Sequence, residues 1–277
     1  MLDFLHKTIK NRRLGIALGG GGARGLAHIG FLKVLDELDI TPQIISGTSI
    51  GALIGAMYCS GLSAREIENH YNNMSLLTKG RLIDLAIPAI HGLIKGEGIT
   101  RLLHEEYHLT TFENLKIPLK IVATDFWNRE EVVLDSGDLV QAVRASISIP
   151  GIFEPVKFRD KILTDGGAVN PVPYDIIRNN CDILIAIDVI GQLQPQSSQL
   201  ESPNIFECII NSFHIMETTI LENQLEKSSP DFIYQPGIVN VSIIDFTRYA
   251  EIIQISQPEI ERFRQDMMAY KAKSCRI

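Results

Sequence analysis

The sequence predicts an α/β fold built on a central, mostly parallel sheet. Two consecutive strand–turn–helix units near the N-terminus and a later set of near-continuous apolar runs carry that prediction. In the first unit, LGIAL (14–18) leads into GGGGARG and then LAHIGFLKVLDEL, where Leu26, Ile29, Leu32 and Leu35 recur at helical spacing. The second follows at once: QIIS as a strand, GTSIG as a turn, and ALIGAMYCSG as a small-residue helix stopped by Gly61. The runs LKIVATD (119–125), EVVLD (131–135), KILTD (161–165) and DILIAIDVI (182–190) then extend the same sheet as strands covered on both faces.

The remaining segments fill in around that sheet. Residues 63–115 read as mostly helical with Gly and Pro interruptions, and the apolar, poorly periodic stretch within 76–98 is a candidate lid. QLQPQSSQLESPN (192–204) reads as a flexible loop inside one domain, and helices are expected at 205–227 and 245–273 with the strand FIYQP between them. One domain over 14–277 is therefore expected, preceded by an N-terminal extension over 1–13. In that extension Leu2, Leu5 and Ile9 lie at helical spacing beside Lys7, Lys10, Arg12 and Arg13, a pattern that suits either a packed terminal helix or docking on an anionic membrane.

Composition removes several classes of function. With 277 residues, 45% hydrophobic and 21% charged, the chain has a globular composition, not a disordered one. A net charge of −7 argues against a nucleic-acid footprint. Cys59, Cys181, Cys208 and Cys275 show no CxxC spacing, which points to reduced thiols and a cytoplasmic setting, not to zinc or disulfides. No carboxylate run has calcium-loop spacing, and no secretory signal is read at the N-terminus. The uncharged stretch between Asp39 and Arg65 contains an apolar segment, 50–62, too short to span a bilayer.

Gly47-Thr48-Ser49-Ile50-Gly51 fits the G-x-S-x-G elbow, in which a serine is left projecting at a helix N-terminus; a plain N-cap serine is the alternative. The glycine run contains G-x-G-x-x-G at 20–25. A dinucleotide site would need an acid closing the second strand, and a P-loop would need Lys-Ser/Thr where Arg24-Gly25 stands. A loop of outward backbone N–H groups suits an anion such as the oxyanion of acyl transfer, and glycines used only for close packing are the alternative. Of His6, His28, His70, His91, His104, His108 and His214, only the last follows the acid in α/β-hydrolase order. It lies in an amphipathic helix and is expected to be a partly exposed surface residue. A carboxylate base is the remaining option, and Asp125, Asp165 and Asp188 all end strand-like runs, so spacing leaves the three open.

The motifs GGGARG (20–25), GTSIG (47–51) and DGG (165–167), in this order, resemble the patatin-like phospholipase family, in particular its soluble bacterial members. IVATD (121–125), RASISIPGIFEPV (144–156) and DGGAVNPVP (165–173) resemble it too, so the likeness covers roughly 14 to 250. The resemblance implies a three-layer α/β/α fold and a Ser-Asp dyad with Ser49 as nucleophile and Asp165 as general base. It implies an oxyanion hole from Gly20, Gly21 and Gly22 with the Ile50 amide, and a loop-ordering role for Arg24. Gly25 would open the helix, Gly47 and Gly51 would flank the nucleophile, Gly166 and Gly167 would follow the base, and Asp125 and Asp188 would be structural. No cofactor and no metal are implied. The implied activity is hydrolysis of a lipid ester, from a phospholipid, a lysophospholipid or another acyl ester, by a cytoplasmic protein with a peripheral membrane contact as an option. A catalytically weak lipid-binding regulatory module is the alternative, and nothing in the sequence selects a head group or an oligomeric state.

Overall fold

The computed structural model describes residues 12–73, 96–191 and 204–274. The candidate lid over 76–95, the loop over 192–203 and the extension over 1–11 lie outside the described residues, while residues 96–98 open a helix.

Among the described residues eight strands form one sheet: β1 (Leu14–Leu18), β2 (Ile44–Thr48), β3 (Leu119–Asp125), β4 (Glu130–Leu134), β5 (Val156–Phe158), β6 (Lys161–Asp165), β7 (Ile183–Ile187) and β8 (Phe232–Tyr234). Their order is β5-β6-β3-β2-β1-β7-β8, with β4 also paired to β3. The β3-β2-β1-β7-β8 portion is parallel, and β4, β5 and β6 run antiparallel to their neighbours. EVVL was expected to be covered on both faces. Instead β4 pairs with β3 alone and is largely exposed, its two glutamates facing solvent.

The helices are α1 (Ala27–Glu37), α2 (Ile50–Cys59), α3 (Ala64–Asn73), α4 (Glu97–Glu105), α5 (Leu139–Ser146), α6 (Ile205–Lys227) and α7 (Tyr249–Ser274). Along β1 and β7 the side chains alternate between two cores, as strand geometry requires. Ile16, Leu18, Ile185 and Ile187 enter the core under α1, α2, α3, α5 and α7. Ala17, Leu184 and Ala186 enter a smaller one shared with Tyr174, Ile177 and Leu221 of α6. That double burial is why β1 and β7 read as continuous apolar runs, and it yields the three layers.

The pairing around β3 positions the site. β4 pairs along one edge of β3 from Ile121 to Asp125. On the other edge β2 pairs as far as Thr48↔Val122, and β6 takes over from Ala123↔Asp165. The two strands therefore meet end to end along β3, with Ser49 leaving one tip and Asp165 ending the other.

Candidate active site

Ser49 occupies a strained backbone, φ 54° and ψ −122°, between β2 and α2. The strain is held by packing and two hydrogen bonds. The Ser49 amide donates to Ser146 Oγ (2.9 Å), and that hydroxyl donates to the Val122 carbonyl (2.6 Å). Gly51 is required by close approach, since a β-carbon there would lie 2.1 Å from the Leu18 carbonyl oxygen. Gly47 sits on the same tight turn, and Gly25 packs against Ile50.

Ser49 Oγ donates to Asp165 Oδ2 at 2.7 Å, with both side chains almost fully buried. The other carboxylate oxygen accepts from the Gly167 amide at 2.8 Å, and Gly166 brings the chain against the Val122 carbonyl. Burial first, and the negative charge of Glu217 second, push the Asp165 pKa up to about 8. The three aspartates left open by spacing are thus separated by geometry. Asp125 pairs with Lys161 (2.6 Å) and caps the following turn through Asn128, which together hold its pKa down at about 2. Asp188 accepts from Gln235 Nε2 and the Ile190 amide. Neither touches Ser49 among the described residues.

The glycine loop runs beside the elbow. A side chain on Gly20 would begin 3.5 Å from Ser49 Cβ, but the Gly20 amide donates to the Pro171 carbonyl (2.9 Å), so this expected oxyanion donor is already engaged. Among the described residues no acceptor takes the Gly21 or Gly22 amide. Buried Arg24 donates to the Val241 and Ile190 carbonyls, pinning the loop to the segments after β7 and β8, and Gly25 lies in the single turn preceding α1. Fully buried His28 braces the loop from below through Nε2 and the Gly19 carbonyl (2.9 Å); desolvation pulls its pKa down to about 4, which leaves it a neutral donor.

An apolar cleft of about 80 Å³ opens on the serine, lined by Gly22, Ser49, Leu53, Ile149, Phe153 and Phe246 among others. A second cavity of about 60 Å³, between α1, α2, α3 and α4, shares Ile50, Leu53, Ile99 and Phe246 with the first. The two form one apolar recess leading away from Ser49. Among the described residues no cluster of three His, Cys, Asp or Glu could hold a metal ion. No described helix is long and apolar enough to cross a membrane.

Sequence reasoning misplaced one residue and missed another. His214 is buried, not on the surface, and its Nδ1 pairs with Glu217 Oε2 at 2.8 Å. Glu217 itself, only 2% exposed, reaches the seam between Gly20 and Gly167. The signal was present: Ile210, Phe213, His214, Glu217 and Leu221 follow one helical stripe, so the apolar members place the Glu on the buried face.

A strained elbow serine bonded to a buried aspartate at the carboxyl end of a doubly covered sheet is the layout of a Ser-Asp pair on an α/β scaffold. The sequence pattern of the patatin-like phospholipase family matches residues 16–178, more than half of the chain. The protein belongs to that family. It is 34% identical over 194 residues to an uncharacterized NTE family protein of Mycobacterium tuberculosis, covering 70% of this chain and 53% of that one. It is 28% identical over 285 residues to Lysophospholipase NTE1 of Kluyveromyces lactis, covering 91% of this chain and 19% of the yeast protein. The chain thus spans about half of the first relative and a fifth of the second. VipD from Legionella pneumophila has the same fold, with a TM-score of 0.50 over 93% of this chain and 67% of VipD, at 11% identity.

Proposed function

We propose that the protein is a serine acyl hydrolase that cleaves the carboxylic ester bonds of lipids, with Ser49 as nucleophile and Asp165 as general base. The observation that carries this reading is the 2.7 Å bond from Ser49 Oγ to Asp165 Oδ2 at the mouth of an apolar recess. As Oγ attacks the ester carbonyl, its proton passes to Oδ2 and the carbonyl oxygen takes up negative charge. The unengaged amides of Gly21 and Gly22, with that of Ile50 at the start of α2, are the donors assigned to the oxyanion. Collapse breaks the acyl C–O bond, and the departing alcohol takes the proton from Asp165. A water then gives its proton to Asp165 and attacks the acyl-enzyme, and the proton returns to Ser49.

An aspartate of ordinary pKa is a weak base at neutral pH, and its lift to about 8 brings it close to the working range. The apolar recess suits an acyl chain, and among the described residues its lining holds no charged partner for a head group. Because relatives are named lysophospholipase and esterase, lysophospholipids come first among the natural substrates to try. A cytoplasmic enzyme working at a membrane or micelle surface is the setting this chemistry fits.

The test is hydrolysis of p-nitrophenyl esters of increasing acyl length, without metal, by wild type, Ser49→Ala and Asp165→Asn. Each variant should lose about 10³-fold or more in kcat/KM while keeping its fold. Equal hydrolysis by wild type and Ser49→Ala would defeat the reading.

A further inference from the structure

One buried carboxylate beside the dyad has no part in the hydrolysis just described. Glu217 Oε2 is tied to His214 Nδ1, which leaves Oε1 to point at the dyad. That oxygen lies 2.1 Å from the point where a Gly167 side chain would begin, and the same point is 3.1 Å from Asp165 Oδ1. It lies 3.6 Å from the equivalent point on Gly20, which is itself 3.5 Å from Ser49 Cβ. Glu217 therefore occupies the seam between the two glycine turns that flank nucleophile and base, and it is the absence of a side chain at Gly167 that leaves room for it. Four ionisable groups surround it: Asp165 at the end of β6, Asp188 just past β7, Arg24 in the turn after β1, and His214 on its own helix. Arg24 is engaged with two carbonyls and Asp188 with Gln235 and the Ile190 amide. His214 Nε2 is buried without a partner among the described residues, so the ring's one directed contact is Glu217.

We propose that Glu217, oriented by His214, is a positioning residue of the Ser49–Asp165 pair: it sets a second carboxylate against Asp165 across Gly167, and passage of the serine proton to Asp165 relieves that opposition. The proposal rests on the hydrolase reading. When Asp165 is ionised, the form in which it can take the serine proton, two carboxylates face each other in a buried space. As the Oγ–H bond breaks and the Oδ2–H bond forms, with Oγ closing on the carbonyl carbon, one of the two facing charges disappears. The repulsion thus raises the resting state more than the transition state, the condition for acceleration. Departure of the proton with the alcohol restores the opposed pair for the next half-reaction. The upward shift at Asp165, with Glu217 as its second cause after burial, agrees with this placement.

The experiment has two arms on wild type and Glu217→Gln, which keeps the shape and removes the charge. The first follows Asp165 directly by carboxylate ¹³C NMR across pH, with the resonance assigned by its loss in Asp165→Asn. The midpoint should fall by a pH unit or more in Glu217→Gln. The second measures kcat/KM against pH on a short p-nitrophenyl ester. At pH 6 the variant should gain about 10-fold over wild type, because the acid limb has moved, while at pH 9.5 it should equal wild type or fall below it. A purely structural Glu217 would lower activity by one factor at every pH. Should Glu217→Gln not fold, Glu217→Met removes the charge and should move both readouts the same way. An unmoved midpoint with hydrolysis intact overturns the proposal alone. A moved midpoint in a protein that hydrolyses no ester sustains the coupling and removes the hydrolase reading.

Discussion

Asp165→Asn should make the protein more stable as well as inactive, and the gain should depend on pH. In the folded chain the Asp165 pKa is raised from 3.8 to about 8. Below pH 3.8 both folded and unfolded states hold the proton and the residue contributes no pH slope. Above it the unfolded chain releases the proton while the folded chain keeps it, so unfolding is favoured more with each unit until the folded midpoint near 8. A lift of that size, at about 1.4 kcal/mol per unit, amounts to roughly 6 kcal/mol at the plateau and about 1.7 kcal/mol at pH 5. Asparagine carries no such charge, and it reproduces both contacts: its carbonyl accepts from the Gly167 amide and its amide nitrogen donates to Ser49 Oγ. Urea unfolding of both proteins at pH 5, 7 and 9 reads the difference directly. The stability gap in favour of Asp165→Asn should widen from pH 5 to 7 and flatten above 8. A gap that does not change with pH, or a wild type more stable at pH 9, would show that Asp165 is not held with a raised pKa.

Ser146→Ala removes the hydroxyl that accepts from the Ser49 amide and donates to Val122, leaving two buried groups without partners. It should cost about 2–4 kcal/mol in urea unfolding and lower kcat at least 10-fold with KM little changed. Leu53→Trp places an indole where the serine cleft and the deeper cavity join, so the ratio of kcat/KM for decanoyl over butyryl esters should drop by about 10-fold or more; an unchanged ratio would place the acyl chain elsewhere. Gly51→Ala drives a β-carbon to 2.1 Å from the Leu18 carbonyl oxygen and should cost more than about 3 kcal/mol, read as a fall in melting temperature or loss of soluble protein.

Much of this molecule is visible in its residues because the physical demands on them are unusual. Strands β1 and β7 are buried on both faces, which forces unbroken apolar runs. The elbow needs Gly51 because another strand's carbonyl lies where its side chain would be. The choice of base was not legible in the same way. Asp125, Asp165 and Asp188 all end strands, and only the shared edge of β3 decides which of them meets Ser49, a fact of pairing register that strand-like patterns do not encode. β4 misled because Val-Val-Leu reads the same on an exposed antiparallel edge as in a covered strand. The missed carboxylate was hidden by habit rather than by the sequence: Glu217 lies on the buried stripe of α6, where a glutamate is expected only if something holds it.

The end-to-end meeting of β2 and β6 also accounts for a direct contact between Ser49 and Asp165 with no histidine between them. A histidine base is commonly carried by a loop, whose position follows from packing at some distance from the sheet. Here Asp165 and Ser49, the proposed base and nucleophile, hang from adjacent points on one edge of β3, so their separation is fixed by main-chain pairing. Val122 is the shared anchor: it pairs with Thr48, its carbonyl accepts from Ser146, and Gly166 packs against that same oxygen. A change at this anchor should therefore disturb the Ser–Asp distance before it disturbs substrate binding. Gly166→Ala puts a β-carbon 2.3 Å from the Val122 oxygen and must shift the Asp165 end of the pair. Its kcat should fall by two orders of magnitude or more, since a displacement of about 1 Å in such a pair costs about that much, while KM for the ester stays within a few-fold. Equal losses in kcat and in affinity would mean that the β3 edge holds the recess as well as the dyad, and the separation of the two functions argued from the strand register would be wrong.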